Sequence, residues 1–179
     1  WYGKAAKQGI SEAQYALGVL YETGQGVPRD GGKAQALYRV ASPRIDLRTL
    51  IAIGYLYEKG RGFSRNDDKA VKLYRKAARL GQPVAHDNLG VMYSSGRGVQ
   101  QDDTEAVKWW RRAAERGYGP AQHNLGYSYD SGRGIEQDYA EALVWYRKAA
   151  DQDYHLAQTN LGRLYHQGKG VPQDYGEAA

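Results

Sequence analysis

The chain has 179 residues, of which 41% are apolar and 25% charged, a balance typical of a folded domain or a short repeat array. Its net charge of +5 is dispersed, with no run of more than two Lys or Arg residues, so nothing in it indicates nucleic-acid binding. The absence of Cys excludes disulfides and thiolate chemistry, and no apolar stretch approaches the roughly 18 residues that a membrane helix needs.

The sequence repeats every 36 residues without an insertion or a deletion. A glycine column and a tyrosine column mark the period most clearly, and further glycine, apolar, Asp/Asn and alanine columns keep the same step. The first two columns are Gly18, Gly54, Gly90, Gly126 and Gly162, and Tyr21, Tyr57, Tyr93, Tyr129 and Tyr165. This period predicts an all-α fold, a right-handed α-solenoid of helix-loop-helix repeats in which stacked units bury one another's apolar faces.

In chain order, residues 1–8 are expected to end a helix of a preceding unit, because Trp1–Tyr2 matches the large pair in every second helix. Each unit then contains a helix A, a glycine-rich loop and a helix B. Helix A is predicted at 11–22, 47–58, 83–94, 119–130 and 155–166. The predicted units, within one array over 1–179, are 9–44, 45–80, 81–116, 117–152 and a truncated 153–179. We expect a fragment of a longer protein, whose neighbouring repeats would cover both ends.

Local signals predict where the helices begin and end. Gly24 and its copies favour the left-handed conformation that often ends a helix, and the column that starts at Asp30 predicts an N-cap for helix B. Asp102 with Glu105 fits a capping box, which the first two units lack, so their caps should be weaker. Gly18 and its copies lie inside helix A, where Gly costs about 1 kcal/mol relative to Ala. We therefore expect helix B to cross there with no room for a methyl group.

The pattern Ala-x-x-Asn-Leu-Gly-x-x-Tyr-x-x-Gly-x-Gly-Val-x-x-Asp-x-x-x-Ala-x-x-Trp-Tyr-x-Lys-Ala-Ala is followed closely at 85–114 and 121–150. It resembles the Sel-one-like repeat, a relative of the tetratricopeptide repeat, over essentially the whole chain. The resemblance implies an adaptor that holds another protein, in a largely bacterial family, with a periplasmic or secreted location. Residues 42–47 depart from the pattern, so the joint that contains Pro43 is expected to be kinked or shifted.

One face of helix A is free of the predicted stacking contacts, and by analogy with tetratricopeptide arrays it lines a concave groove. Its side chains vary from unit to unit, as those of a binding surface would. The predicted partner-binding residues are Tyr15, Val19, Ile51, Tyr55, Asp87, Asn88, His123, Asn124, Tyr127, Thr159, Asn160 and Arg163. The first half of this set is more apolar and the second half more polar, so we expect an extended ligand whose apolar end lies on the first two repeats.

The asparagines Asn88, Asn124 and Asn160 have two interpretations. A side-chain amide both donates and accepts hydrogen bonds, so a row of amides could hold an extended peptide backbone without reading its sequence. Alternatively, the amides bond to a neighbouring helix terminus and tie the repeats together. The sequence leaves both interpretations open.

Other candidate sites are weaker. The Gly-x-Gly loops follow helices and lack a Gly-Lys-Ser/Thr, so they indicate helix ends rather than phosphate binding. His155 and His166 share a helix face but lie about three turns apart, too far for one metal ion, and no metal or cofactor is predicted. Trp109, Trp110 and Trp145 occupy a column that is apolar in every copy, which favours core packing over a platform for sugars.

The sequence therefore favours a non-enzymatic interaction scaffold that binds a peptide or partner protein in the groove of the A helices. The alternative is a bacterial envelope factor that contacts polysaccharide or peptidoglycan. A hydrolase of the β-lactam-binding type is a remote alternative, since the cysteine-rich relatives linked to penicillin binding carry cysteines that this chain lacks. Neither nucleic-acid binding nor membrane insertion is predicted.

Overall fold

The computed structural model describes residues 1–41, 47–60, 64–174 and 176, and every regular element in these ranges is an α-helix. The chain divides into two compact units, Trp1–Leu80 and Gly81–Ala179. The first contains α1 (Tyr2–Lys7), α2 (Ser11–Thr23), α3 (Gly31–Ala41), α4 (Leu47–Lys59) and α5 (Asp67–Arg79). The second contains α6 (Pro83–Ser95), α7 (Asp103–Ala114), α8 (Gly119–Ser131), α9 (Tyr139–Ala150) and α10 (His155–Gln167).

The even-numbered helices are the predicted A helices, and each observed range matches its prediction to within one residue. Their ends follow from glycine, which adopts positive φ without a steric penalty. Gly96 and Gly132, for example, follow α6 and α8 with φ of 65° and 73°. The left-handed helix ends predicted from the glycine column are thus confirmed.

The predicted N-caps of helix B are also present, but the predicted capping box is wrong. The Oδ1 atom of Asp102 accepts a hydrogen bond from the backbone N–H of Glu105 at 2.9 Å, as a cap should. In a capping box the Glu105 carboxylate would accept the N–H of Asp102, but that N–H donates to the Tyr93 carbonyl at 3.0 Å. Glu105 instead pairs with Lys108 at 3.0 Å. The expectation of weaker caps in the first two units therefore loses its basis.

The phased glycines let helix B cross helix A at very close range. A Cβ atom built on Gly18 or Gly54 would lie 2.7 or 2.6 Å from the Cε1 atom of the tyrosine that faces it, Tyr38 or Tyr74. At Gly126 the corresponding distance, to Cδ1 of Tyr146, is 2.8 Å. Real Cβ atoms essentially never approach so closely, so the predicted reason for the glycine column is confirmed.

In the second unit, each helix B also packs on the A helix that follows it, α7 on α8 and α9 on α10. The buried side chains at these contacts are mainly alanines, such as Ala106, Ala113 and Ala142, with Leu125 and Tyr146 among the larger ones. Small side chains bring the helix axes close together, and this places successive A helices side by side. No helix in the described ranges is long and apolar enough to cross a membrane.

Two expectations fall on residues that the structure does not describe. The predicted irregular joint at 42–47 lies outside the described residues except for Leu47, which begins α4. The truncated helix B expected at 175–179 lies outside them except for Gly176. The predicted boundaries of the repeat units stay a prediction.

Candidate functional site

In the first unit, the four predicted binding residues differ in accessibility. Val19 is 1% exposed and belongs to the core, so a partner could not reach its side chain. Tyr15 is half-buried with its ring centroid 4.8 Å from that of Tyr38, and Ile51 is also half-buried. Tyr55, at 40% exposure, is the only broadly exposed side chain of the four.

In the second unit, the predicted residues line the neighbouring helices α6, α8 and α10. Asp87 on α6 is buried, whereas Tyr127 on α8 is 45% exposed. Thr159 on α10 is exposed, and its hydroxyl donates to the backbone carbonyl of His155 at 3.0 Å. Asn88 is half-buried, as are the remaining members of the set, His123, Asn124, Asn160 and Arg163.

A chain of side-chain hydrogen bonds joins these three A helices. The Nδ2 atom of Asn124 donates to Oδ1 of Asp87 at 3.0 Å. The Nδ2 atom of Asn160 lies 3.1 Å from Nε2 of His123, and because an amide nitrogen only donates, Nε2 must accept. The ring proton of neutral His123 is therefore assigned to Nδ1, which lies 3.3 Å from Oδ1 of Asn124. Asn124 and Asn160 thus each bond to the preceding A helix.

Burial shifts the pKa values of the two titratable groups in this chain. Desolvation raises the pKa of Asp87 to about 6, although the hydrogen bond from Asn124 opposes the shift. Desolvation lowers the pKa of His123, against the effect of its hydrogen bond to Asn124. A neutral His123 fits the acceptor role of its Nε2 atom. The pKa of Tyr118 is raised by burial and by the negative charge of Asp87.

The asparagine amides therefore connect repeats, through side chains on the preceding A helix rather than through a helix terminus. This is close to the second interpretation that the sequence allowed for Asn124 and Asn160. Whether the remaining hydrogen-bonding capacity of these amides also serves a partner stays a prediction.

A second column on the A helices has an internal role that sequence analysis missed. It contains Glu22, Glu58, Ser94, Asp130 and His166, and we call its first four members the acceptor column. Glu22 accepts a hydrogen bond from the hydroxyl of Tyr38 at 2.6 Å, and Glu58 accepts one from Tyr74 at 2.9 Å. These carboxylates satisfy the phenol groups that cross the phased glycines.

In the second unit, Asp130 has the same role, since it accepts a hydrogen bond from the Tyr146 hydroxyl at 3.2 Å. Asp130 also forms an ion pair with Arg163, one of the predicted binding residues. The negative charge of Asp130 and burial together raise the pKa of Tyr146, burial having the larger effect. Arg163 on α10 is therefore held against α8 by Asp130.

The third repeat breaks this pairing, because it has Ser94 in the acceptor column and Trp110 at the crossing. Trp110 is 8% exposed, and its Nε1 atom has no hydrogen-bond partner among the described residues. A cavity of about 240 Å³ opens here, which we call the serine cavity. The residues that line it include Val91, Ser94, Trp110, Asn124, Tyr127 and Arg133.

The rim of the serine cavity carries charged groups. Arg133 forms a salt bridge with Asp103 at 2.9 Å, and both side chains line the cavity. Arg97 donates from Nε to the hydroxyl of Ser95, another lining residue, at 3.0 Å. The charged residues that line the cavity, Arg133 and Asp103, are thus paired with each other. Trp110 in register with Tyr38, Tyr74 and Tyr146, and Ser94 in the acceptor column, were the sequence signals that could have located this cavity.

The other candidate sites are placed as follows. Trp109 is half-buried, with the His86 ring centroid at 5.6 Å and the Arg112 guanidinium over it at 4.6 Å. Trp145 is half-buried beneath the ammonium group of Lys148, which lies 4.2 Å from the ring centroid. In the part of the chain that the structure describes, no group of three or more His, Asp or Glu residues could hold a metal ion.

The sequence model of the Sel1 repeat matches residues 1–10, 11–42, 49–82, 83–118, 119–154 and 155–179. Among solved structures, the chain is similar to a protective antigen of uropathogenic Escherichia coli that displays an SLR fold, with a TM-score of 0.76 and 35% identity. The match covers 99% of this chain and 38% of the antigen. A Sel1 repeat protein from Oxalobacter formigenes has a TM-score of 0.75 and 34% identity, over 99% of this chain and 71% of that one.

A fungal relative matches over a shorter range. A chitin synthase regulator of Malassezia restricta is 44% identical over 48 residues, which are 27% of this chain and 3% of that protein. The chain thus spans well under two thirds of both this regulator and the Escherichia coli antigen. The two similar structures confirm the all-α solenoid fold that the repeat predicts.

Proposed function

Since the chain belongs to the Sel1 repeat family, whose fold is generally a non-catalytic interaction scaffold, we propose that it binds an extended segment of a partner protein. The binding surface is the row of A helices in the second unit, α6, α8 and α10. Its exposed centre is Tyr127, beside the serine cavity. The first-unit residues Tyr15, Val19, Ile51 and Tyr55 stay a prediction for the same role.

The observation that carries the proposal is the exposure of Tyr127 on helix α8, next to the serine cavity. A tyrosine offers a large contact area and a hydroxyl at a low cost in side-chain entropy, which makes it a frequent anchor in binding surfaces. The hydrogen-bond chain from Asp87 to Asn160 fixes the spacing of the three helices behind it. Binding to a preorganised surface avoids the entropic cost of ordering it.

The alternative of a polysaccharide-binding envelope factor is less well supported. Sugars stack on exposed aromatic faces, but Trp109 and Trp145 are both half-buried and lie beneath cationic side chains. The exposed rings of the second unit are on an A helix instead, as Tyr127 shows. An extended peptide with side chains that enter a cavity fits this surface better than a flat sugar face.

Panning the chain against a phage-displayed library of random peptides tests the proposal. We expect enriched peptides that bind the native chain, and we expect Tyr127→Ala to weaken their binding at least roughly ten-fold, or about 1.4 kcal/mol. The matched control is Val144→Ala, an apolar side chain of similar exposure on helix α9. Enrichment of no peptide, or equal affinities for Tyr127→Ala and the native chain, would contradict the proposal.

A further inference from the structure

We propose that the buried Asp87 is a positioning residue, which orients the Asn160 amide so that its oxygen accepts a hydrogen bond from an N–H group of the partner segment. Asp87 acts through two side chains of α8, Asn124 and His123. The inference rests on the proposed function and adds the chemistry that one end of the surface recognises. It depends on the direction of the hydrogen bonds that join α6, α8 and α10.

The hydrogen-bond chain has a fixed direction because it starts at a group that only accepts. Asp87 is 7% exposed, and its Oδ1 atom lies 3.0 Å from Nδ2 of Asn124. Burial raises the pKa of Asp87 to about 6, so the carboxyl group is ionised at about pH 7.5. An ionised carboxylate cannot donate a hydrogen bond. Asn124 must therefore turn its amide nitrogen toward Asp87, and its oxygen is left to face His123.

The oxygen of Asn124 determines which nitrogen of His123 carries the proton. Nδ1 of His123 lies 3.3 Å from this oxygen, so Nδ1 must be the donor. The rings of Tyr146 and Tyr154 lie on either count close to the imidazole, with centroid distances of 5.7 and 5.3 Å, and neutral phenols do not stabilise a positive charge as a carboxylate would. Burial also lowers the pKa of His123. His123 is thus neutral, and its Nε2 atom is an acceptor.

The acceptor atom of His123 in turn orients Asn160. Nδ2 of Asn160 lies 3.1 Å from Nε2 of His123, so the amide oxygen is directed away from the ring. Within the described residues this oxygen accepts no hydrogen bond, and it is not buried. A partner therefore meets an unpaired acceptor on α10. A backbone N–H or a side-chain N–H fits this acceptor, whereas a carbonyl or carboxylate oxygen would be repelled.

Nuclear magnetic resonance tests the direction of the hydrogen-bond chain without any partner. The nitrogen signals of His123, assigned with a His123→Gln variant, report which ring nitrogen is protonated at about pH 7.5. We expect the Nδ1–H tautomer in the native protein. Asp87→Leu removes the acceptor at similar side-chain size, so both tautomers should appear, and Asp87→Asn should restore the native one. A native Nε2–H tautomer, or no change in Asp87→Leu, would overturn the inference.

Peptides obtained by panning the native protein test the contact with a partner. Their affinities are measured by fluorescence polarisation for Asp87→Leu, Asn160→Ala and the double variant, after circular dichroism and urea denaturation have established that each is folded. We expect each single variant to bind roughly three- to ten-fold more weakly, which corresponds to one hydrogen bond. The double variant should bind no more weakly than Asn160→Ala, because Asp87 acts through Asn160. Asp87→Asn should recover the affinity that Asp87→Leu loses.

Changes to the peptide identify the donor. Each backbone nitrogen is methylated singly, and each side chain with an N–H group is replaced singly by Ala. One change should weaken binding to the native protein but not to Asn160→Ala, and its kind assigns the donor to the backbone or to a side chain. Additive losses in the double variant, or no such position in peptides that depend on Tyr127, would overturn this inference and leave the proposed function intact. Failure to enrich any peptide would overturn both.

Discussion

The third and fourth repeats place different pairs on the same framework. In the fourth repeat, Tyr146 crosses Gly126 and its hydroxyl donates to Asp130, which also binds Arg163. In the third repeat, Trp110 crosses Gly90, Ser94 takes the acceptor position, and both line the serine cavity. The fourth repeat has an internal Tyr–Asp pair at this position, whereas the third repeat has a cavity there.

The comparison shows that the scaffold and the site are encoded separately. The crossing depends on a glycine that is identical in every repeat, so the helices meet in the same way whichever ring lies between them. The residue in the acceptor column determines only whether the polar group of that ring has an internal hydrogen-bond partner. A site can therefore change in one repeat without disturbing the stacking of its neighbours.

Adding a methyl group at Gly90, where helix B crosses helix A in the third repeat, should have the largest effect on stability. A Cβ atom at Gly90 would approach Trp110 more closely than the 2.8 Å found between Gly126 and Tyr146. We expect Gly90→Ala to destabilise the chain by about 3 kcal/mol, and Gly126→Ala by somewhat less, because overpacking forces the ring aside. Urea denaturation measures both. Gly31→Ala is the control, since nothing lies within 4 Å of its added methyl group. Equal stabilities of Gly90→Ala and this control would show that the rings move freely.

Removing the buried carboxylate of Asp87 should have the next largest effect on stability. The folded pKa of Asp87, about 6, lies above the unfolded value of about 3.9, so the native state binds this proton more tightly. The contribution of Asp87 to stability is therefore complete below about pH 4 and is lost as the pH rises through 6. Asp87→Asn keeps an oxygen acceptor for Asn124, so we expect a gain of roughly 2–3 kcal/mol at pH 7 and little change near pH 4.

Urea denaturation of the native chain and Asp87→Asn at several pH values checks this prediction. The difference between the two proteins is the relevant quantity, because the lowered pKa of His123 acts in the opposite direction. The lowered pKa of His123 reduces the stability of the protein as the pH falls below the ordinary histidine value of about 6.5. A difference that is independent of pH would show that Asp87 is not the titrating group.

Removing the hydrogen bond between Tyr146 and Asp130 in the fourth repeat should have a smaller effect on stability. Tyr146→Phe removes the hydroxyl that donates to Asp130 and leaves the carboxylate with Arg163 as its partner. We expect a loss of about 1.5–2 kcal/mol, the lower part of the range for a hydrogen bond to a charged group, because Asp130 keeps Arg163 as a partner. Thermal unfolding beside Tyr127→Phe, a change at an exposed ring, provides the comparison. If both variants lose equally little stability, the acceptor column is not a source of stability.

The salt bridge at the rim of the serine cavity should affect stability least. Arg133 and Asp103 form a partly exposed salt bridge at 2.9 Å, and such pairs contribute little. We expect Arg133→Ala to change the free energy of unfolding by at most about 0.5 kcal/mol. Its effect should appear in the salt dependence of peptide binding instead, which becomes shallower when a rim charge is lost. A large loss of stability would place Arg133 in the scaffold rather than at the site.

Much of the fold could be predicted from the sequence, because the period constrains each element several times over. Every helix A has a glycine at its end, and every helix B has an Asp or Asn at its start, so single ambiguous residues do not matter. The one local prediction that was wrong, the capping box at Asp102, failed for a tertiary reason. The N–H that Glu105 would have bound is used by the Tyr93 carbonyl of the preceding helix.

The candidate site was less predictable. Helical spacing predicts which side chains share a face, but not which of them are buried or already have a hydrogen-bond partner. Val19 and Asp87 were assigned to an open groove, yet both are buried. The acceptor column was not identified, although tyrosines from helix B donate hydrogen bonds to Glu22, Glu58 and Asp130. Burial depends on the distance between two helices, and the spacing of residues along the sequence does not give that distance.

The amino-acid sequence by itself determined the helices, their order and the close crossing at each glycine, since backbone conformation and steric exclusion act locally and recur in every unit. Only the tertiary structure decided which polar groups are paired internally and which remain for a partner. Hydrogen-bond pairing needs two groups within about 3 Å, often from different repeats. Trp110 and Ser94 line one cavity only because the helices that carry them are packed together.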